Sequence, residues 1–103
     1  MPSGSGIVRS GPGDIFTAMF VIDDVQYSFT GKTSTEGEEF GCWKASLEFE
    51  DIQALQGDGT FEAEVGEQEL SIVFANGPKI TGTLQDPIIP KAIVKGQGHW
   101  ITN

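Results

Sequence analysis

The side chains able to do nucleophilic or acid–base chemistry are few and poorly matched. One histidine, His99, and one cysteine, Cys42, occur in 103 residues. A nucleophile needs a base within reach, and that base needs a third group to orient it. No nucleophile motif flanks Cys42, and nothing marks a partner for His99, so a small buried or half-buried thiol and a surface histidine are expected. Carboxylates are plentiful, but Glu36, Glu38 and Glu39 lack the EF-hand spacing and read as a solvated loop. The glycine pairs Gly11/Gly13 and Gly57/Gly59 open no helix and lack the third glycine of a dinucleotide site. No catalytic residue, cofactor site or metal site is expected.

Two features remain as interaction candidates. Glu62, Glu64 and Glu69 fall on the outer face of a hairpin, with Glu64 and Glu69 opposed at a cost in like-charge repulsion, and so form a candidate interaction surface. Trp43 and Trp100 are either plugs of the core or, if turned outward beside apolar neighbours, interaction anchors.

Charge narrows the partners. Fifteen acidic against six basic residues give a net charge of −9, which repels nucleic-acid phosphates and argues against a nucleic-acid partner. A protein partner or a membrane surface remains, the latter favoured at acidic pH, where carboxylates begin to protonate. No run approaches the roughly 20 apolar residues of a membrane-spanning helix. The first residues show no classical signal peptide, and the single thiol leaves the redox compartment unread.

Positioning falls to strands. Fourteen glycines, seven phenylalanines and 38% hydrophobic content suit an all-β chain with tight turns. Phe16, Ala18, Phe20 and Ile22 alternate, as do Val25, Tyr27 and Phe29, and an Asp23-Asp24 loop makes their apolar faces coincide. Phe61, Ala63 and Val65 alternate, then Leu70, Ile72 and Phe74, joined at Gly66-Glu67. A three-residue loop, Asn76-Gly77-Pro78, aligns Phe74 with Ile80, Ile72 with Gly82 and Leu70 with Leu84. A strand from Cys42 to Phe49 places Trp43, Ala45, Leu47 and Phe49 on one side. Residues 50–56 predict one or two turns of helix, with Asp51 at its start and Gly57 at its end. A proline-bracketed link from Asp86 to Pro90 precedes a last strand bent at Gly96 and Gly98. A short strand near Ile7–Ser10 completes a closed antiparallel, eight-stranded Greek-key β-barrel: one domain over residues 1–103, with residues 1–6 as a flexible lead. A glycine pair followed by an aromatic recurs before Phe16, Phe61 and Trp100, as though glycines admit a sharp strand entry whose aromatic then plugs the barrel.

The order Trp43-Lys44-Ala45-Ser46-Leu47, helix 50–55, a Gly-x-Phe strand, a meander, Ala92-Ile93-Val94 and Gly96-Gln97-Gly98-His99-Trp100 resembles the virulence-associated (Vap) proteins of Rhodococcus over roughly residues 15–102. The resemblance implies an eight-stranded Greek-key barrel with one helix, a side-chain-filled interior and no catalytic site. It also implies a secreted effector that acts on a host membrane or a protein partner; without it the chain reads as cytoplasmic. Two other readings stand beside this one: an acidic protein-binding or immunity-type module, and a calycin-like barrel that holds a small ligand.

Overall fold

A computed structural model describes residues 3–11, 14–33 and 40–102, apart from the side chain of Pro90. Six strands form: β1 (Ser3–Ser10), β2 (Ile15–Ile22), β3 (Val25–Thr33), β4 (Gly41–Glu48), β5 (Gly57–Phe74) and β6 (Lys79–Thr102). Their order is β3-β2-β1-β4-β6-β5, and a further β3–β6 pairing closes the antiparallel sheet into a barrel.

The Asp23-Asp24 hairpin forms in the expected register, with Ile22 opposite Val25, Phe20 opposite Tyr27 and Ala18 opposite Phe29. Both aspartates adopt positive φ, 51° and 65°, the pair of left-handed residues that matches the twist of a two-residue hairpin. β1 begins at Ser3, inside the stretch expected to be a flexible lead, and pairs with β4 from its first residue.

The expected count of eight strands is not reached, because β5 and β6 run on where breaks were expected. At about 3.3 Å per residue the 18 residues of β5 would span roughly 60 Å, against a longest molecular dimension of 35 Å. β5 must therefore bend. Gly66 is where it can: φ is +121°, and a Cβ there would lie 2.6 Å from the carbonyl oxygen of Ile88 and 2.9 Å from Cα of Lys91. The link from Asp86 to Pro90 likewise lies within β6. Residues 79–82 of β6 pair with β4 and residues 96–102 with β3, so this one strand seals the barrel at both ends of its length.

The turn before β6 keeps three residues but moves by one, to Ala75-Asn76-Gly77, with Phe74 facing Pro78. Ile72 pairs with Ile80 and Leu70 with Gly82, two residues away from the anticipated register. The N–H of Phe74 donates to the carbonyl of Pro78 at 2.9 Å, and Pro78 is fully buried. A slip of two leaves every side chain on its expected face, whereas a slip of one would invert them.

The expected helix at 50–56 is reduced to one 3-10 turn, Ile52–Ala54. Asp51 caps it, accepting from the N–H of Gln53 at 2.9 Å. Recurrence every three residues is the 3-10 period, and so few residues are too short to nucleate an α-helix unaided. Leu55 is buried, but Ile52 stays largely exposed.

Inside, the barrel is filled. Phe29 is the hub: its ring lies 5.8 Å from Phe16, 5.8 Å from Phe61, 4.9 Å from Phe74 and 5.1 Å from Trp100. Phe16 and Phe61, which follow the two glycine pairs, meet at 5.0 Å. No polar or charged side chain is buried among the described residues. Side chains occupy the space that a ligand-holding barrel would keep open.

Candidate functional site

The two tryptophans part company. Trp100 is buried and packs on Phe29 and Phe74 as a plug, whereas Trp43 is 56% exposed. Its expected place beside Ala45, Leu47 and Phe49 is thus corrected, and the register shows why. Gly6 pairs with Ala45 and Val8 with Cys42, so Trp43 and Lys44 together stand opposite the single residue Ile7. That is a β-bulge, and its extra residue shifts the alternation by one. Cys42 turns inward in place of Trp43, and Trp43 turns out.

The neighbours of Trp43 follow from the ladders. Ile7 is opposite Met19, Met19 opposite Ser28, and Ser28 opposite Ile101, giving a row across four strands. Val21 lies in the adjoining row between Ser5 and Gln26. Met19, Val21 and Ile101 are all exposed, and Ile7 is half-buried. The outer face of β4-β1-β2 is therefore an apolar band with Trp43 at one end. The sequence carried a sign of it: β2, Ile-Phe-Thr-Ala-Met-Phe-Val-Ile, is apolar in both phases of its alternation, more than a half-buried strand needs.

Charge is distributed unequally about this band. β1, β2 and β3 contain no acidic residue, although the chain has fifteen. Exposed Arg9 and Lys44 flank the band, and neither forms a salt bridge among the described residues. β5, reached around the barrel only through β6, carries Asp58, Glu62, Glu64, Glu67 and Glu69 and no basic residue.

Glu62, Glu64 and Glu69 are exposed, as expected, but Glu64 stands opposite Ile93 and Glu69 opposite Thr83, not each other, because β5 pairs with β6 through Gly66-Glu67 and makes no hairpin there. Lysines of β6 moderate them: Lys91 lies 3.4 Å from Glu64 and Lys95 4.0 Å from Glu62. Such solvated pairs stabilise by no more than about 1 kcal/mol each. Glu64 and Glu69 share a hollow with Lys79 and Lys91. Beside it a groove of about 880 Å³ runs between the two arms of β5, where Thr60 to Glu64 lie across from Ser71 to Ala75. The N–H of Ala75 donates to the carbonyl of Thr60 at 3.0 Å, tying the arms at one end.

Cys42 is buried, its thiol donating to the carbonyl of Lys44 at 3.4 Å, and burial pushes its pKa up. A raised pKa is the reverse of what a thiolate nucleophile requires. His99 is exposed and pairs across the ladders with Thr30 and Asp58. Among the described residues no group of three or more His, Cys, Asp or Glu side chains converges as for a metal; Glu36, Glu38 and Glu39 lie outside them. Among the described residues no helix is long and apolar enough to cross a membrane. Comparison with family models, curated proteins and solved structures finds no match to the chain.

Proposed function

We propose that the chain is a non-catalytic, Vap-like binding barrel that acts through the outer face of β4-β1-β2, at a membrane surface or on a protein partner. The observation that carries this reading is the bulge at Trp43 and Lys44. It turns an indole into solvent at the end of an apolar band flanked by Arg9 and Lys44. Exposed apolar residues are ordinary one by one; a contiguous row of them rimmed by polar residues marks a contact surface. Indole and aliphatic side chains beside cations also suit the interfacial zone of a bilayer. Greek-key connectivity belongs to the same reading, since the order β3-β2-β1-β4 brings the fourth strand back beside the first.

An immunity-type module docking a basic partner on Glu62, Glu64 and Glu69 draws on the five acids of β5, but the lysines at Glu62 and Glu64 already offset part of that charge. The filled interior counts against the small-ligand reading.

Vesicle flotation tests the membrane arm, with neutral and anionic vesicles between about pH 4.5 and 7.5. Co-flotation is expected toward the acidic end and is lost in Trp43→Ser. Absence of flotation at every pH overturns the membrane arm, and a Trp43→Ser chain that floats as well as the parent overturns the choice of face.

A further inference from the structure

The turn between β5 and β6, Ala75-Asn76-Gly77, holds the chain's one asparagine–glycine step. Asparagine is chemically labile, and a following glycine leaves its side-chain amide most open to attack, because no Cβ shields the main-chain nitrogen. Asn76 and Gly77 are both exposed. Gly77 adopts a φ of +119°, and nothing lies within 4 Å of its would-be Cβ. Two hydrogen bonds hold the groups that would react. The N–H of Gly77 donates to the carbonyl of Phe74 at 3.0 Å. Nδ2 of Asn76 donates to the carbonyl of Ala54 at 3.0 Å, across 22 residues of chain. That second bond ties the β5–β6 turn to the 3-10 turn, which in its turn carries Leu55 into the core. Asp58-Gly59 is the comparable acidic step, but Gly59 stands in the β5–β6 ladder opposite Gly98.

We propose that Asn76 is a site of hydrolytic modification: its amide pins the 3-10 turn to the β5–β6 turn, and its conversion to aspartate or isoaspartate releases that pin. The chemistry needs only water. The main-chain nitrogen of Gly77 gives its proton to a solvent base and bonds to Cγ of Asn76, while the Cγ–Nδ2 bond breaks and Nδ2 leaves as ammonia. Water then opens the cyclic imide at either carbonyl, giving aspartate or, with the main chain routed through Cγ, isoaspartate. One water enters and one ammonia leaves, with no change of oxidation state. In the folded chain both reacting groups are engaged, so the reaction proceeds through local opening of the turn. Afterwards the turn does not re-form as before. A carboxylate donates nothing to the Ala54 carbonyl, which then faces two acceptor oxygens, and the isoaspartate form lengthens the main chain just before buried Pro78. The conversion is therefore one-way. It also adds a negative charge to a hollow that Asn76 shares with Lys32, Asp58 and His99.

Peptide mapping of protein aged in mildly alkaline buffer, folded and in urea, tests the chemistry. Asn76 is expected to gain the mass difference between an amide and an acid, with isoaspartate at that position. It does so about tenfold or more slowly when folded, because opening the turn has a cost. Asn76→Gln, whose longer side chain closes the ring poorly, stays unconverted. Hydrogen exchange tests the pin. The N–H groups of Ala54 and Leu55 donate to the carbonyls of Asp51 and Ile52. They are expected to exchange at least about tenfold faster in Asn76→Asp and in the aged parent, while the β1–β2 amides keep their rates. The aged parent carries this test should Asn76→Asp fold poorly. No conversion of Asn76 in urea overturns the site, and conversion as fast in the folded chain as in urea overturns its guarding by the turn. Unchanged exchange at Ala54 and Leu55 overturns the pin, as does a rise shared equally by the β1–β2 amides.

Discussion

Trp43 and Trp100 are the same residue type in strands of the same barrel, and their substitutions should separate cleanly. Trp100→Ala opens a void against Phe29 and Phe74 and should cost roughly 3–5 kcal/mol. Trp43→Ser removes a side chain that already faces solvent and should stay within about 0.5 kcal/mol of the parent. Urea unfolding at equal, low protein concentration measures both. Cys42 offers a second residue-level test. Burial raises its folded pKa above the ordinary 9.0, so the folded state holds the thiol proton more tightly than the unfolded state. Its contribution is fully present below about pH 9.0 and is lost as pH rises through the folded value. Stability against urea should accordingly fall across that alkaline window, and a Cys42→Ala chain should show a smaller fall. That Cys42 is a buried or half-buried thiol was legible in the sequence; that it takes the core position in place of Trp43 was not. Alternation counts residues, and a bulge inserts one without changing the pattern that is counted.

Three elements show how far local pattern carries. The Asp23-Asp24 hairpin was readable in full because two apolar phases and a two-residue loop admit one register. The turn at 74–79 was readable only modulo two, since moving a three-residue loop by one position shifts the register by two and leaves every side chain on its face. Glycines were read as bends, and their tertiary reason is closeness between strands. Gly31, Gly98 and Gly59 are ladder neighbours across β3, β6 and β5. A Cβ on Gly31 would lie 2.6 Å from the carbonyl oxygen of Gln97 and 3.0 Å from the ring of Phe29. Gly31→Ala should therefore destabilise by roughly 1–3 kcal/mol, as overpacking does, and should speed amide exchange along the β3–β6 closure. Gly11→Ala is the control, because nothing lies within 4 Å of its would-be Cβ. It should be neutral, or stabilising by up to about 1 kcal/mol through the unfolded chain.

At the scale of the molecule, charge and closure oppose one another. A net charge of −9 on 103 residues strains the compact state by self-repulsion, and only two salt bridges form among the described residues, both on the β5–β6 side. Salt screens such repulsion, with a Debye length of about 10 Å at 0.1 M. Thermal unfolding should move to higher temperature as sodium chloride is raised at neutral pH, whereas stability held mainly by ion pairs would move the other way. Closure through β3–β6 gives β1, β2, β3 and β4 a partner on both edges, whereas β5 pairs only with β6; on the β4-β1-β2 face, contact with another molecule is left to side chains. The acid-free strands β1 to β3 and the acidic β5 are already separate in the linear chain, within residues 3–33 and 57–74; closure decides which strands stand between them.

What the sequence determined by itself was the class of fold, its first hairpin, the inward faces of most strands and the sparse means for catalysis. All of these rest on short-range periodicity or on residues that are simply missing. Tertiary structure alone decided that Trp43 faces solvent, that β5 and β6 run through their bends as single strands, and that Ile7 and Met19 stand side by side with Ile101 beyond Ser28 in the same row. Each depends on which strand lies beside which, and at what offset. That is settled by barrel closure and by one extra residue opposite Ile7, neither of which leaves a mark in the local alternation from which the strands were read.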